Sequence, residues 1–95
     1  MANMACASHI LVNTEKKARD LVKKVENGAD FAKLAKQNSS FSSAKKGGDL
    51  GEFRKGTMVP AFDKAVFAKG SENQTVLGPV KTKFGFHVIQ VLYKN

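Results

Sequence analysis

The chain carries two histidines, His9 and His87, and each lies inside an apolar run that reads as a β-strand: ASHILVN near the start and FGFHVIQVLYK near the end. Imidazole is the side chain whose proton equilibrium lies nearest neutral pH, and its neutral form donates from one nitrogen while accepting at the other. Two imidazoles on one sheet face can share a hydrogen bond, each fixing the other's tautomer, provided that the two strands are neighbours. Taken alone, the pair reads more simply as two unrelated polar side chains, each bonded to a backbone group. Cys6 is the single cysteine, so no internal disulfide can form, and a reducing, cytoplasmic compartment is expected. One cysteine and two distant histidines are a poor zinc set, so no metal site is expected, and no cofactor either.

The elements that must hold these histidines can be read from periodicity. Residues 5–12 end in Ile10-Leu11-Val12 and predict a buried strand. Asn13-Thr14 offers a helix N-cap, after which Ala18, Leu21, Val22 and Val25 recur at i, i+3, i+4 and i+7. Asn27-Gly28 is a stop signal. Asp30 can cap a second helix with Phe31, Leu34 and Ala35 on one face. Residues 38–49, NSSFSSAKKGGD, read as a loop with Phe41 as its one large apolar residue. Leu50 to Phe53 predicts a short strand. Pro60 suits the first turn of a third helix bearing Phe62, Ala65 and Val66. Gly70 to Gln74 reads as a turn. Thr75 to Val80 predicts a strand, and Pro79 places it at a sheet edge because proline cannot donate to the ladder. Lys83-Phe84-Gly85 turns into the last strand, Phe86 to Tyr93. The order β-α-α-β-α-β-β describes an α+β domain with a mostly antiparallel sheet. The first and last strands are the most apolar and belong at its centre. Phe31, Leu34, Val66, Phe67, Ile89 and Val91 are assigned to the core.

The 95 residues suit one domain, 1–95, with one core. No apolar run approaches the roughly 18 residues of a membrane span. MANMACASHILVN has neither the basic leader nor the apolar stretch of a signal peptide, which favours a cytosolic protein, and LYKN looks like a natural stop. Sixteen basic residues against eight acidic ones give a net charge of +8, spread along the chain without a block of five or six. The charge permits nucleic-acid binding, but no recognition motif accompanies it. Nothing suggests an oligomer, so a monomer is expected.

Five segments go further together than any does alone: SHILV at 8–12, GADFAKLA at 28–35, SSAKKGGDLGEF at 42–53, GTMVPAFDKAVF at 56–67 and GPVKTKFGFHVI at 78–89. In their order and spacing the chain resembles a parvulin-type peptidyl-prolyl cis/trans isomerase, of the small single-domain bacterial kind. The resemblance implies a four-stranded antiparallel sheet, order 2-1-4-3, wrapped by helices. It implies that His9 and His87 are the paired histidines of the catalytic floor and that Thr82 bonds within their network. Met58 and Phe62 then hold the substrate proline ring with Leu50 beside them, and Phe84 stands on the rim. One position departs: where many parvulins carry Cys or Asp facing the isomerising bond, the match falls on Phe41. Phenylalanine is neither nucleophile, base nor anion, so a covalent route is not expected, and Phe41 becomes a hydrophobic rim residue.

The chemistry implied needs no bond to substrate. Peptide rotation faces a barrier of about 18–20 kcal/mol, and an Xaa-Pro bond takes roughly 10–100 s to isomerise unaided. Removing about 4 kcal/mol speeds it roughly a thousandfold. The twisted transition state has lost amide resonance, so a water-poor apolar pocket favours it over the more polar planar amide. Phospho-selective parvulins carry a long basic loop after the first strand, whereas Asn13-Thr14 is short, so no phosphate preference is expected. The implied partners are proline-containing peptides and unfolded or flexible protein segments, with no membrane. Two other functions remain open at this stage: a non-catalytic module that holds proline segments as a chaperone does, and a basic binder of nucleic acid or anionic membrane surfaces.

Overall fold

A computed structural model describes residues 3–68 and 75–94. Its elements in chain order are β1 (Met4–Val12), α1 (Glu15–Glu26), α2 (Phe31–Asn38), β2 (Asp49–Arg54), α3 (Pro60–Phe67), β3 (Thr75–Thr82) and β4 (Gly85–Lys94). Local chemistry explains most of the boundaries. Thr14 keeps extended dihedrals and its hydroxyl accepts from the Lys17 N–H at 3.2 Å, which caps α1. Asp30 does the same for α2, its carboxylate accepting from Ala32 N–H at 3.0 Å. Pro60 opens α3, where its missing N–H costs nothing. No helix among the described residues is long and apolar enough to cross a membrane.

The four strands form one antiparallel sheet in the order β2-β1-β4-β3. The apolar strands β1 and β4 occupy its centre, and β3, which contains Pro79, lies at an edge with a register shift between Leu77 and Val80. Side chains alternate across the sheet. On one face Ile10, Val12 and Val88 pack against Ala18 and Leu21 of α1 and Phe31 and Ala35 of α2. On the other, Ala5, Ala7, Ile89 and Val91 pack with Phe53 and with Phe62 and Val66 of α3. Leu34 and Phe67, expected in the core, are only partly buried at its margins.

Strand alternation places His9 and His87 on the α3 face. His9 stands opposite Ile89, and His87 opposite Leu11. The histidines are thus diagonal cross-strand neighbours, a relation long side chains readily span.

Several expected boundaries shift. The last strand starts at Gly85 and β3 runs on to Thr82, so the turn between them is only Lys83-Phe84. The stretch read as a loop over 38–49 contributes Asn38 to α2 and a 3-10 turn at Ser42–Lys46. Glycine ends that turn because the chain must reverse against β1. Gly47 and Gly48 both have positive φ, and a Cβ on Gly48 would collide with the carbonyl oxygen of His9. The reward of this close approach is a hydrogen bond from His9 N–H to Gly48 C=O at 2.9 Å, which ties the turn to the strand carrying the histidine. The turn expected over Gly70 to Gln74 lies outside the described residues.

Candidate active site

Three elements converge on the histidine pair. His9 Nδ1 lies 3.0 Å from His87 Nδ1, and the two rings are nearly parallel, 17° apart with centroids at 5.2 Å. The last residue of β3, Thr82, brings its hydroxyl to 2.8 Å from His87 Nε2, and the same oxygen accepts from the Phe84 N–H at 3.2 Å. The short β3–β4 turn makes this possible, since it returns Thr82 beside Gly85, two residues from His87. Both imidazoles are almost fully buried. Burial, with the neighbouring His87 as a second cause, pushes the pKa of His9 down to about 4, and burial also lowers that of His87. At neutral pH the pair is therefore uncharged, joined through a single proton between its Nδ1 atoms.

Above the pair is an almost wholly apolar cavity of about 80 Å³, lined by His9, Phe41, Leu50, Met58, Val59, Phe62, Phe84 and His87. Phe62 forms the deep wall, its ring edge-to-face with His9 at 5.7 Å and with His87 at 5.4 Å. Phe41 and Phe84, both exposed, stand at the mouth. The structure thus brings seven of the eight expected site residues to one cavity and holds the eighth, Thr82, behind His87. Met58 lies outside the helix that carries Phe62. It lies two residues ahead of α3, in the Arg54-to-Pro60 connection. The Asp63 carboxylate shapes that connection by accepting from Gly56 N–H at 2.7 Å.

Other residues position the site without any local sequence signal. Ser39 Oγ accepts from Leu11 N–H at 3.0 Å and from Phe41 N–H at 3.3 Å, and Ser40 N–H donates to the Leu11 carbonyl at 2.9 Å. These bonds pin the Phe41 segment to β1 only two residues beyond His9. Val59, which lines the cavity, was also not singled out from the sequence. Cys6 is partly buried, and burial with nearby Asp49 raises its pKa above the usual thiol value, outweighing the hydrogen bond with Tyr93. The balance disfavours a thiolate.

The family model described as a PPIC-type PPIASE domain matches residues 1–95. The chain belongs to the parvulin family. Among solved structures it resembles the parvulin of Nitrosopumilus maritimus, NmPin, at 41% identity and a TM-score of 0.85, with 97% of this chain and 98% of that one covered. It also resembles the peptidylprolyl isomerase PrsA of Bacillus anthracis, at 39% identity and a TM-score of 0.92, covering 99% of this chain and 43% of that one. The foldase protein PrsA of Exiguobacterium sibiricum is 49% identical over 86 residues, which are 90% of this chain and 28% of its relative. That of Geobacillus sp. strain WCH70 is 51% identical over 90 residues, 94% of this chain and 32% of its relative. The chain spans about three-tenths of the length of these curated foldases. What it shares with them is the parvulin domain, and the sheet order 2-1-4-3 with three helices is the fold of that family.

The role of Asp63 can be checked directly. Asp63→Ala frees the Gly56 N–H and removes an acidic group from the first turn of α3. A loss of about 1 kcal/mol is expected, read as a lower urea midpoint with an unchanged m-value, together with shifted NMR signals for Met58. Unmoved Met58 signals would detach Asp63 from the site.

Proposed function

We propose that this parvulin domain accelerates cis/trans rotation about Xaa-Pro bonds in flexible or unfolded protein segments by non-covalent means. The observation that carries this reading is the apolar cavity closed below by an uncharged histidine pair. A proline ring inserted between Leu50, Met58 and Phe62 leaves water, and the scissile-free rotation of its amide then takes place where the planar, more polar state is poorly solvated. His9, His87 and Thr82 act by holding the floor in one shape and polarity. No charged group faces the amide from the floor, and Phe41 offers no nucleophile.

Substrate choice follows from the rim. Phe41 and Phe84 favour an apolar or unselective residue before proline. The connection from β1 to α1 is only Asn13-Thr14, and Lys16, the first lysine beyond it, pairs with Asp20 at 3.6 Å one turn along α1. The absence of a long basic loop there supports no preference for phosphate ahead of proline. The name foldase, carried by the longer relatives, supports a role in assisting protein folding. We further read the domain as a monomer, to be checked by light scattering. Its sole cysteine is compatible with a reducing, cytoplasmic setting, and recovery of the native protein outside the cytosolic fraction would overturn that placement. The dispersed +8 charge suggests at most weak, salt-sensitive contact with nucleic acid.

Two-dimensional exchange NMR on Ala-, Leu-, Phe-, Glu- and phosphoSer-Pro peptides tests the reading. Cis/trans cross-peaks that appear only with protein are expected, strongest for the apolar peptides. Peptide-induced shifts of Met58, Phe62 and His87 without exchange would instead make the cavity a proline-binding module of chaperone type.

A further inference from the structure

The hydrogen-bond chain through the site has one loose end. His9 gives its Nδ1 to His87, but its Nε2 is buried and finds no hydrogen-bond partner among the described residues. The aromatic side chains against this ring are Phe41, with centroids 4.8 Å apart and planes at 73°, and Phe62 at 5.7 Å. Phe62 is buried, whereas Phe41 has 37% of its surface in water. Phe41 is therefore the wall between His9 and solvent. It cannot drift from that post easily, because Ser39 and Ser40 hold its backbone to Leu11.

Two proton arrangements satisfy the rest of the chain. In the first, His9 Nδ1–H donates to His87 Nδ1, His87 Nε2–H donates to Thr82, and His9 Nε2 is a bare lone pair. In the second, Thr82 O–H donates to His87 Nε2, His87 Nδ1–H donates to His9 Nδ1, and His9 Nε2 carries a proton. The second leaves a buried N–H without an acceptor, a situation that folded proteins almost never tolerate. The first leaves only an unused lone pair, and Thr82 Oγ1 can accept from both Phe84 N–H and His87 Nε2–H with its two lone pairs.

We infer that Phe41 is a positioning residue that sets the tautomers of the histidine pair: by closing His9 with a ring that offers no acceptor, it selects the arrangement with protons on His9 Nδ1 and His87 Nε2. A carboxylate at position 41 reverses both rings, since it accepts from His9 Nε2–H and draws the whole chain of donors toward itself. The direction of the hydrogen bonds across the floor is thus decided by one rim side chain.

The inference concerns the same site as the proposed function, but its readout needs no substrate, so the two can fail separately. Long-range proton–nitrogen NMR on histidine-labelled protein at neutral pH distinguishes the tautomers. In the wild type, His9 protonated at Nδ1 and His87 at Nε2 are expected. Phe41→Asp is expected to move both protons, to His9 Nε2 and His87 Nδ1, whereas Phe41→Leu, which stays apolar, keeps the wild-type pattern. Residue 41 is a surface residue, and the fold of each variant is verified from the Val88 and Ile89 core signals. Wild-type tautomers that persist in Phe41→Asp, or a reversed pattern already present in the wild type, would overturn the assignment.

Discussion

Between pH 6.5 and about pH 4, His9 alone is expected to cost the protein on the order of 3 kcal/mol of folding free energy. The sign follows from proton uptake. The native pKa lies below that of the unfolded chain, so in this interval the unfolded state binds more protons, and stability rises with pH. The contribution is complete above about pH 6.5 and is lost as the pH falls towards about 4. The lowered pKa of His87 acts in the same direction. Most of this interval lies above the usual carboxylate range, so the slope is separable from ordinary acid unfolding. Urea titrations at half-unit pH steps should show a midpoint that declines steadily below pH 6.5, and a flatter decline in His9→Gln, whatever that variant's absolute stability. Equal slopes in both proteins would mean that the pair is not held neutral by burial. Exchange activity of the folded protein should fall only as the pH nears the native pKa of His9, about 4, where a proton on its unpartnered Nε2 puts a charge beneath the cavity.

The architecture was readable from the sequence wherever its cause is local. Thr14, Asp30 and Pro60 announce helix starts through hydrogen bonds or dihedral limits within three residues. Pro79 marks an edge because a missing donor has one consequence anywhere in a sheet. Apolar β1 and β4 had to be central, and that alone brought the histidines near one another. Their diagonal relation was not readable, because register depends on how β1 and β4 slip past each other, here shifted at Cys6-Ala7. The anchoring of Phe41 was hidden for the same reason: Ser39 and Ser40 bond Leu11, some 28 residues away, and a serine in a polar loop carries no mark of a distant partner. Met58 has the i, i+4 spacing of a helical face with Phe62, but the proline between them is where the helix begins, so spacing alone could not place it in the cavity. The resemblance to parvulins supplied what periodicity could not, namely which of the half-buried residues share a cavity.

Phe62→Ala is expected to be the most damaging single truncation in the site, lowering stability by about 3–5 kcal/mol against the roughly 5–15 kcal/mol typical of a whole domain. Phe62 is 2% exposed and links two layers. One side of its ring meets Phe53 in the core at 6.3 Å, and the other meets both histidines. Truncation therefore opens a void that joins the core to the cavity. Water entering it would hydrate His9 and His87, so their pKa values should rise towards the ordinary histidine value, and the acid sensitivity described above should shrink in the same variant. Phe62→Leu separates the two consequences. It refills much of the void, and a smaller loss of stability is expected, but it has no ring edge to set against the imidazoles or flat face to set against a proline. Thermal unfolding ranks the three proteins for packing, histidine NMR titration ranks them for dryness of the floor, and peptide exchange reads the pocket itself. If Phe62→Leu retains full stability, depressed histidine pKa values and full exchange rates, the aromatic wall is only filler and the shape of the floor must be held by His9, His87 and Thr82 alone. If exchange falls at least tenfold while stability and histidine pKa values hold, the ring itself grips the proline, and the wall and the floor have separate tasks: one binds, the other sets the polarity in which the bond turns.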